Sequence, residues 1–83
     1  MYKLKGLPEE DEIVLCKDTK IYPNSVFVDL LEYNDSGMIH ISEIAPGRIR
    51  NLRDHVSVGR QVVCKVLRIH RDRGHIDLSL RRV

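Results

Sequence analysis

Gly37-Met38-Ile39-His40-Ile41-Ser42-Glu43-Ile44 and, about thirty residues on, Gly74-His75-Ile76-Asp77-Leu78-Ser79-Leu80 are the stretches that decide the fold. The second alternates strictly. Ile76, Leu78 and Leu80 fall on one face and His75, Asp77, Ser79 and Arg81 on the other, the period of a strand half buried on a core. The first enters from a turn signal, Asn34-Asp35-Ser36-Gly37, and predicts a strand from Met38 to Ile41.

Working outward, Glu12-Ile13-Val14-Leu15-Cys16-Lys17 begins a strand that reaches Ile21, where Tyr22-Pro23-Asn24 breaks it. Val26 to Leu31 gives a second strand, with Val26, Val28 and Leu30 inward and Phe27 and Asp29 outward. Residues 42 to 60 lose the period of two, contain Pro46, Gly47 and Gly59, and hold Arg48, Arg50 and Arg53 around Ile49 and Leu52. They predict a long loop with a short helical turn, and such loops usually carry function. Gln61 to Ile69 forms a fourth strand with Val62, Cys64 and Val66 on one face, and Arg71-Asp72-Arg73-Gly74 turns the chain into the fifth. Five short strands separated by turns predict an all-β, antiparallel barrel occupying residues 1–83 as one domain.

A chain of 83 residues has room for one core. No apolar run approaches the roughly eighteen residues of a membrane span, and the charged start Met1-Tyr2-Lys3-Leu4-Lys5 leads into no signal-peptide core, so a cytoplasmic location without membrane contact is expected. Cys16 and Cys64 stand alone among apolar residues, without the paired spacing of a zinc site, and read as buried thiols. They lie on the first and fourth strands, which are neighbours in a barrel of this kind, but a cytosolic setting disfavours a lasting disulfide. Charge is the more telling quantity: residues 1 to 45 carry −5 and residues 46 to 83 carry +7. A basic half on a small domain favours a polyanion such as RNA, because each neutralised phosphate releases condensed counterions.

No phosphate-cradling glycine loop, His-Glu metal pattern or nucleophile setting is present, so an enzyme, a cofactor and a small-molecule substrate are not expected. The histidines at 40, 55, 70 and 75 lack ligand spacing, and no metal site is expected from them; His70 and His75 flank a turn suited to solvent or phosphate. The better constellation is a surface for unstacked bases. Phe27 and His40 point outward from neighbouring strands, where bases can stack on them, and Arg71, Arg73 and Arg81 could hold the phosphates alongside.

The motifs around His40 and Leu78-Ser79 resemble the S1 RNA-binding domain, a five-stranded barrel of the OB type with a long loop between strands three and four. More narrowly, Leu30-Leu31-Glu32-Tyr33, Arg48-Ile49-Arg50-Asn51-Leu52-Arg53-Asp54 and the close Arg81-Arg82-Val83 resemble the amino-terminal domain of the alpha subunit of archaeal and eukaryotic translation initiation factor 2. That resemblance implies an RNA-facing domain of a three-part factor that carries initiator tRNA to the small ribosomal subunit. GTP is held there by the gamma subunit, which the alpha subunit meets through later domains. Arg48, Arg50 and Arg53 of the long loop are expected to supply salt-dependent phosphate contacts. Departures are visible. Asn24 and Ser25 replace an aromatic and a glycine usual before the second strand, His70 replaces an acidic residue, and Asp18 takes a position that is commonly apolar. Ala45 stands where the eukaryotic subunit has its regulatory serine; Ser42 and Ser57 do not align with it, so no phosphorylation switch is expected and an archaeal source fits better. The resemblance further implies that the native chain continues past Val83. Two alternatives of other classes are a stand-alone pseudosubstrate mimic that inhibits a stress kinase, and an S1 domain of a ribonuclease or exosome subunit.

Overall fold

The alternating runs become five strands: β1 (Ile13–Tyr22), β2 (Ser25–Leu30), β3 (Asp35–His40), β4 (Gln61–His70) and β5 (His75–Ser79). These come from a computed structural model that describes residues 8–33, 35–45, 47, 50–70, 72 and 74–83. The strands close into a barrel in the order β1-β2-β3-β5-β4, with β4 returning to β1. The long connection between β3 and β4 contains two short 3-10 turns, Ile41–Glu43 and Leu52–Asp54.

Four of the strand contacts are antiparallel, as the sequence predicts, and the β3–β5 contact is parallel. Chain direction requires this. β2 opposes β1, β3 opposes β2, β4 opposes β1 and β5 opposes β4, so β3 and β5 run the same way when they meet. Gly37 lets them meet closely: a Cβ there would lie 2.7 Å from Leu78 Cδ1 and 2.8 Å from the Ile76 carbonyl oxygen. No larger residue fits without displacing backbone.

Val26, Val28 and Leu30 of β2, Cys64 and Val66 of β4 and Ile76 and Leu78 of β5 are buried on the inner face, as their alternation predicts. Val62 and Leu80 are only partly buried and pack against that core from its margin. Two irregularities break the alternation where the barrel bends. On β1 the inward series Val14, Cys16, Asp18 resumes at Ile21, and on β4 the series Cys64, Val66 resumes at Ile69. Register shifts between Asp18 and Lys20 and between Val66 and Arg68 account for both, since one extra residue reverses the face presented beyond it.

Ser79 departs from expectation. Alternation places it facing water with His75 and Asp77, yet it is fully buried. Its hydroxyl donates to Glu43 Oε1 at 2.8 Å and accepts from the backbone N–H groups of Arg81 and Arg82 at 3.1 and 3.2 Å. A hydroxyl with every partner supplied loses little on leaving water. The same contacts clasp the end of β5 to the turn after β3, where the Leu80 N–H also donates to the Glu43 carbonyl at 2.9 Å.

Asp18 and the cysteines occupy the β1–β4 side of the core. Cys16 and Cys64 are buried, free thiols offset diagonally on adjacent strands. A hydrogen bond with Cys16 and burial push the Cys64 thiol well above the ordinary range, so it is inert. Asp18 is 1% exposed, and neither of its carboxylate oxygens reaches a hydrogen-bonding partner among the described residues. Burial raises its pKa, and the nearby Ser57 backbone N–H and Arg60 guanidinium offset that only in part.

Candidate nucleic-acid interface

Cross-strand partners share a face, so the registers define the outer surface row by row. Lys20, Phe27, Met38, Asp77 and Arg68 follow one another across β1, β2, β3, β5 and β4. Beside this row runs a shorter one, Tyr22, Ser25 and His40. Phe27 and His40 thus lie on one outer face, with Met38 directly opposite Phe27 and one row from His40.

Phe27 is 41% exposed and has a second aromatic beside it. Tyr22, equally exposed, meets it edge to face with ring centroids 5.1 Å apart at an interplanar angle of 61°. Sequence reading treats Tyr22 as a strand breaker. The extra residue of the β1 irregularity turns it outward, and only the parity change between Asp18 and Ile21 signals this in the sequence.

His40 caps the first 3-10 turn. Its Nδ1 accepts from the Ser42 backbone N–H at 3.2 Å and lies 2.9 Å from Ser42 Oγ. A nitrogen that accepts from an amide carries no proton, so Nε2 bears it and remains a donor. His40 is exposed and therefore both orders the loop and offers a donor to a ligand.

The arginines fall in three places. Leu52 is buried against the barrel and Asn51 caps the second 3-10 turn by accepting the Arg53 N–H at 3.1 Å. Arg50 and Arg53 are consequently held outward on either side of that anchor. With Ile21, Tyr22 and Pro23 they line a groove of about 270 Å³, so two cations stand next to the aromatic pair. Arg81 is held at the other end, its Nη1 donating to the Ser42 carbonyl at 2.9 Å, two residues from His40. Arg48, Arg71 and Arg73 lie outside the described residues.

Residues 7–81 match the S1 RNA binding domain family. The chain belongs to that family. This S1 domain is homologous to the amino-terminal region of the alpha subunit of archaeal initiation factor 2. It is 54% identical over 80 residues to translation initiation factor 2 subunit alpha of Methanocaldococcus jannaschii, covering 95% of this chain and 30% of that protein. Among solved structures it is similar to the intact alpha subunit of aIF2 from Pyrococcus abyssi, with a TM-score of 0.89, 44% identity, and coverage of 95% of this chain and 31% of that one. It is also similar to a chain of the a/eIF2alpha-aDim2p-rRNA complex from Pyrococcus horikoshii, with a TM-score of 0.88, 45% identity, and coverage of 93% and 46%. The S1 domain spans about a third of the length of the curated relatives it matches.

Proposed function

We propose that this S1 barrel is the RNA-contacting domain of an initiation factor 2 alpha subunit, acting by non-covalent contact on RNA of the small ribosomal subunit during initiator tRNA delivery. The observation that carries this reading is the similarity to a chain solved in complex with rRNA, at 45% identity over nearly all of this domain. The barrel's geometry agrees with it. A Tyr22–Phe27 pair offers ring surface to unstacked bases, and Arg50 and Arg53 beside it supply phosphate contacts. His40 and Arg81 extend the surface toward the end of β5, and Arg48, Arg71 and Arg73 join the phosphate contacts. No catalysis belongs to the domain on this reading, and the gamma subunit is met through other parts of the same factor, in the cytoplasm.

Titrating the chain into labelled single-stranded RNA at several salt concentrations tests the proposal. The logarithm of affinity should fall linearly with the logarithm of salt, with a slope that counts neutralised phosphates. A flat slope would remove the electrostatic contribution.

A further inference from the structure

His70, His75 and Asp77 have no ligand spacing along the chain, but the β4–β5 hairpin folds them into one cluster. His70 and His75 are direct cross-strand partners, and Asp77 lies two residues further along the outward face of β5. Both imidazoles converge on the same carboxylate. His70 Nε2 is 2.8 Å from Asp77 Oδ2, and His75 Nε2 is 3.7 Å from Asp77 Oδ1. The rings lie side by side with centroids 4.5 Å apart, and one ligand atom from each of the three residues falls within 4.8 Å of the other two.

We propose that His70, His75 and Asp77 form a binding site for a divalent transition-metal ion, with Zn²⁺ as the reference. In a tetrahedral site, with metal–ligand bonds of about 2.0 to 2.2 Å, ligand atoms sit roughly 3.3 to 3.5 Å apart. His70 lies 2.8 Å from one Asp77 oxygen and His75 3.7 Å from the other, and one ligand atom of each residue falls within 4.8 Å of the rest, so side-chain rotations that bring the three onto one ion complete a ligand set. Two imidazoles and one carboxylate select zinc, cobalt, nickel or copper over magnesium and calcium, which prefer all-oxygen shells. The side chains are 23%, 37% and 36% exposed, open enough for an ion to enter yet fixed by a paired hairpin. Arg68, opposite Asp77 in the register, makes no ion pair with it among the described residues, so the carboxylate is committed to the imidazoles. Three protein ligands leave a fourth position for water or a phosphate oxygen. His75 also lines a hollow with Phe27 and Met38, so the ion would add positive charge beside the aromatic pair.

The competing account is a hydrogen-bonded clasp that only staples the hairpin. Titration of Zn²⁺ into the chelator-stripped chain, followed by calorimetry and by NMR of the imidazole nitrogens, distinguishes the two. Expected are one-to-one saturation in the micromolar range and shifts in the His70 and His75 rings, with His40 and His55 unmoved. His75→Gln and Asp77→Asn should each weaken binding by about tenfold or more, and millimolar Mg²⁺ should not compete. Absence of saturable binding up to millimolar Zn²⁺, ring shifts centred on His40 or His55, or unchanged affinity in both variants would overturn the proposal. The NMR result on the unsubstituted chain stands whether or not a variant folds.

Discussion

Tyr22 and Phe27 meet edge to face at the hairpin joining β1 to β2, 5.1 Å between ring centroids. An aromatic pair in this arrangement holds both side chains in place before any ligand arrives. Stacking on a fixed ring forfeits less conformational entropy than stacking on a free one. The proposed stacking surface therefore consists of two rings that support each other.

Removal of either ring should weaken single-stranded RNA binding by about 1 to 3 kcal/mol. Because the rings touch, Tyr22→Ala and Phe27→Ala together should differ from the sum of the single changes. The salt slope should hardly move in any of the three. Fluorescence anisotropy across a salt series measures both quantities, and a slope that falls as far as for an arginine variant would contradict a stacking role.

Asp18 should be a net liability at neutral pH. Replacing it with valine removes a buried carboxylate that meets no hydrogen-bonding partner among the described residues and should stabilise the fold by roughly 1 to 3 kcal/mol at pH 7, measured by urea unfolding. Its folded pKa is raised above the ordinary 3.8, so the folded state holds the proton more tightly than the unfolded state. Stability from this group is complete below that value and is lost as pH rises through the raised folded value. The stability gap between Asp18→Val and the parent should accordingly widen from pH 3 to pH 7.

The Glu43–Ser79 clasp has the opposite pH signature. Burial acts to raise the Glu43 pKa, but the Ser79 hydroxyl, the Arg82 guanidinium and the Arg81 charge outweigh it and leave the group below its ordinary 4.5. Its contribution is complete above that value and is lost as pH falls through the lowered folded value. Glu43→Gln should destabilise the domain by about 1 to 2 kcal/mol at pH 7, since the Arg82 contact is largely exposed and screened. The difference should shrink as pH is lowered from 7 to 3, which urea melts at the two pH values would reveal.

Gly37→Ala should destabilise the barrel by roughly 1 to 3 kcal/mol, because the new methyl meets the Leu78 side chain and the Ile76 carbonyl at the β3–β5 seam. Thermal unfolding measures the loss. A glycine with positive φ and open surroundings, such as Gly47, provides a contrast in which only backbone strain is added.

Alternation made the inner face legible: Val26, Val28 and Leu30, and Ile76 and Leu78, point where period two places them. Alternation fails at an inserted residue, because parity is read from one end. Tyr22 and Ile69 lie beyond such insertions, and the outward turn of Tyr22 was hidden for that reason. Residue polarity alone does not reveal the burial of Ser79, which follows from its partners Glu43, Arg81 and Arg82, up to 36 residues distant in sequence. The close approach of Gly37 to Leu78 across a parallel seam, and the pairing of His70 with His75 across a hairpin, likewise depend on register, which residue types do not announce.

Amide chemical-shift mapping of the labelled chain with a short single-stranded RNA tests the central claim most directly. Shifts should gather at Tyr22, Phe27, Met38, His40, Arg50 and Arg53, along the aromatic pair and its adjoining groove. Shifts confined instead to the exposed apolar residues Ile13, Leu15 and Val63 on the β1–β4 side would place the RNA elsewhere and contradict the account.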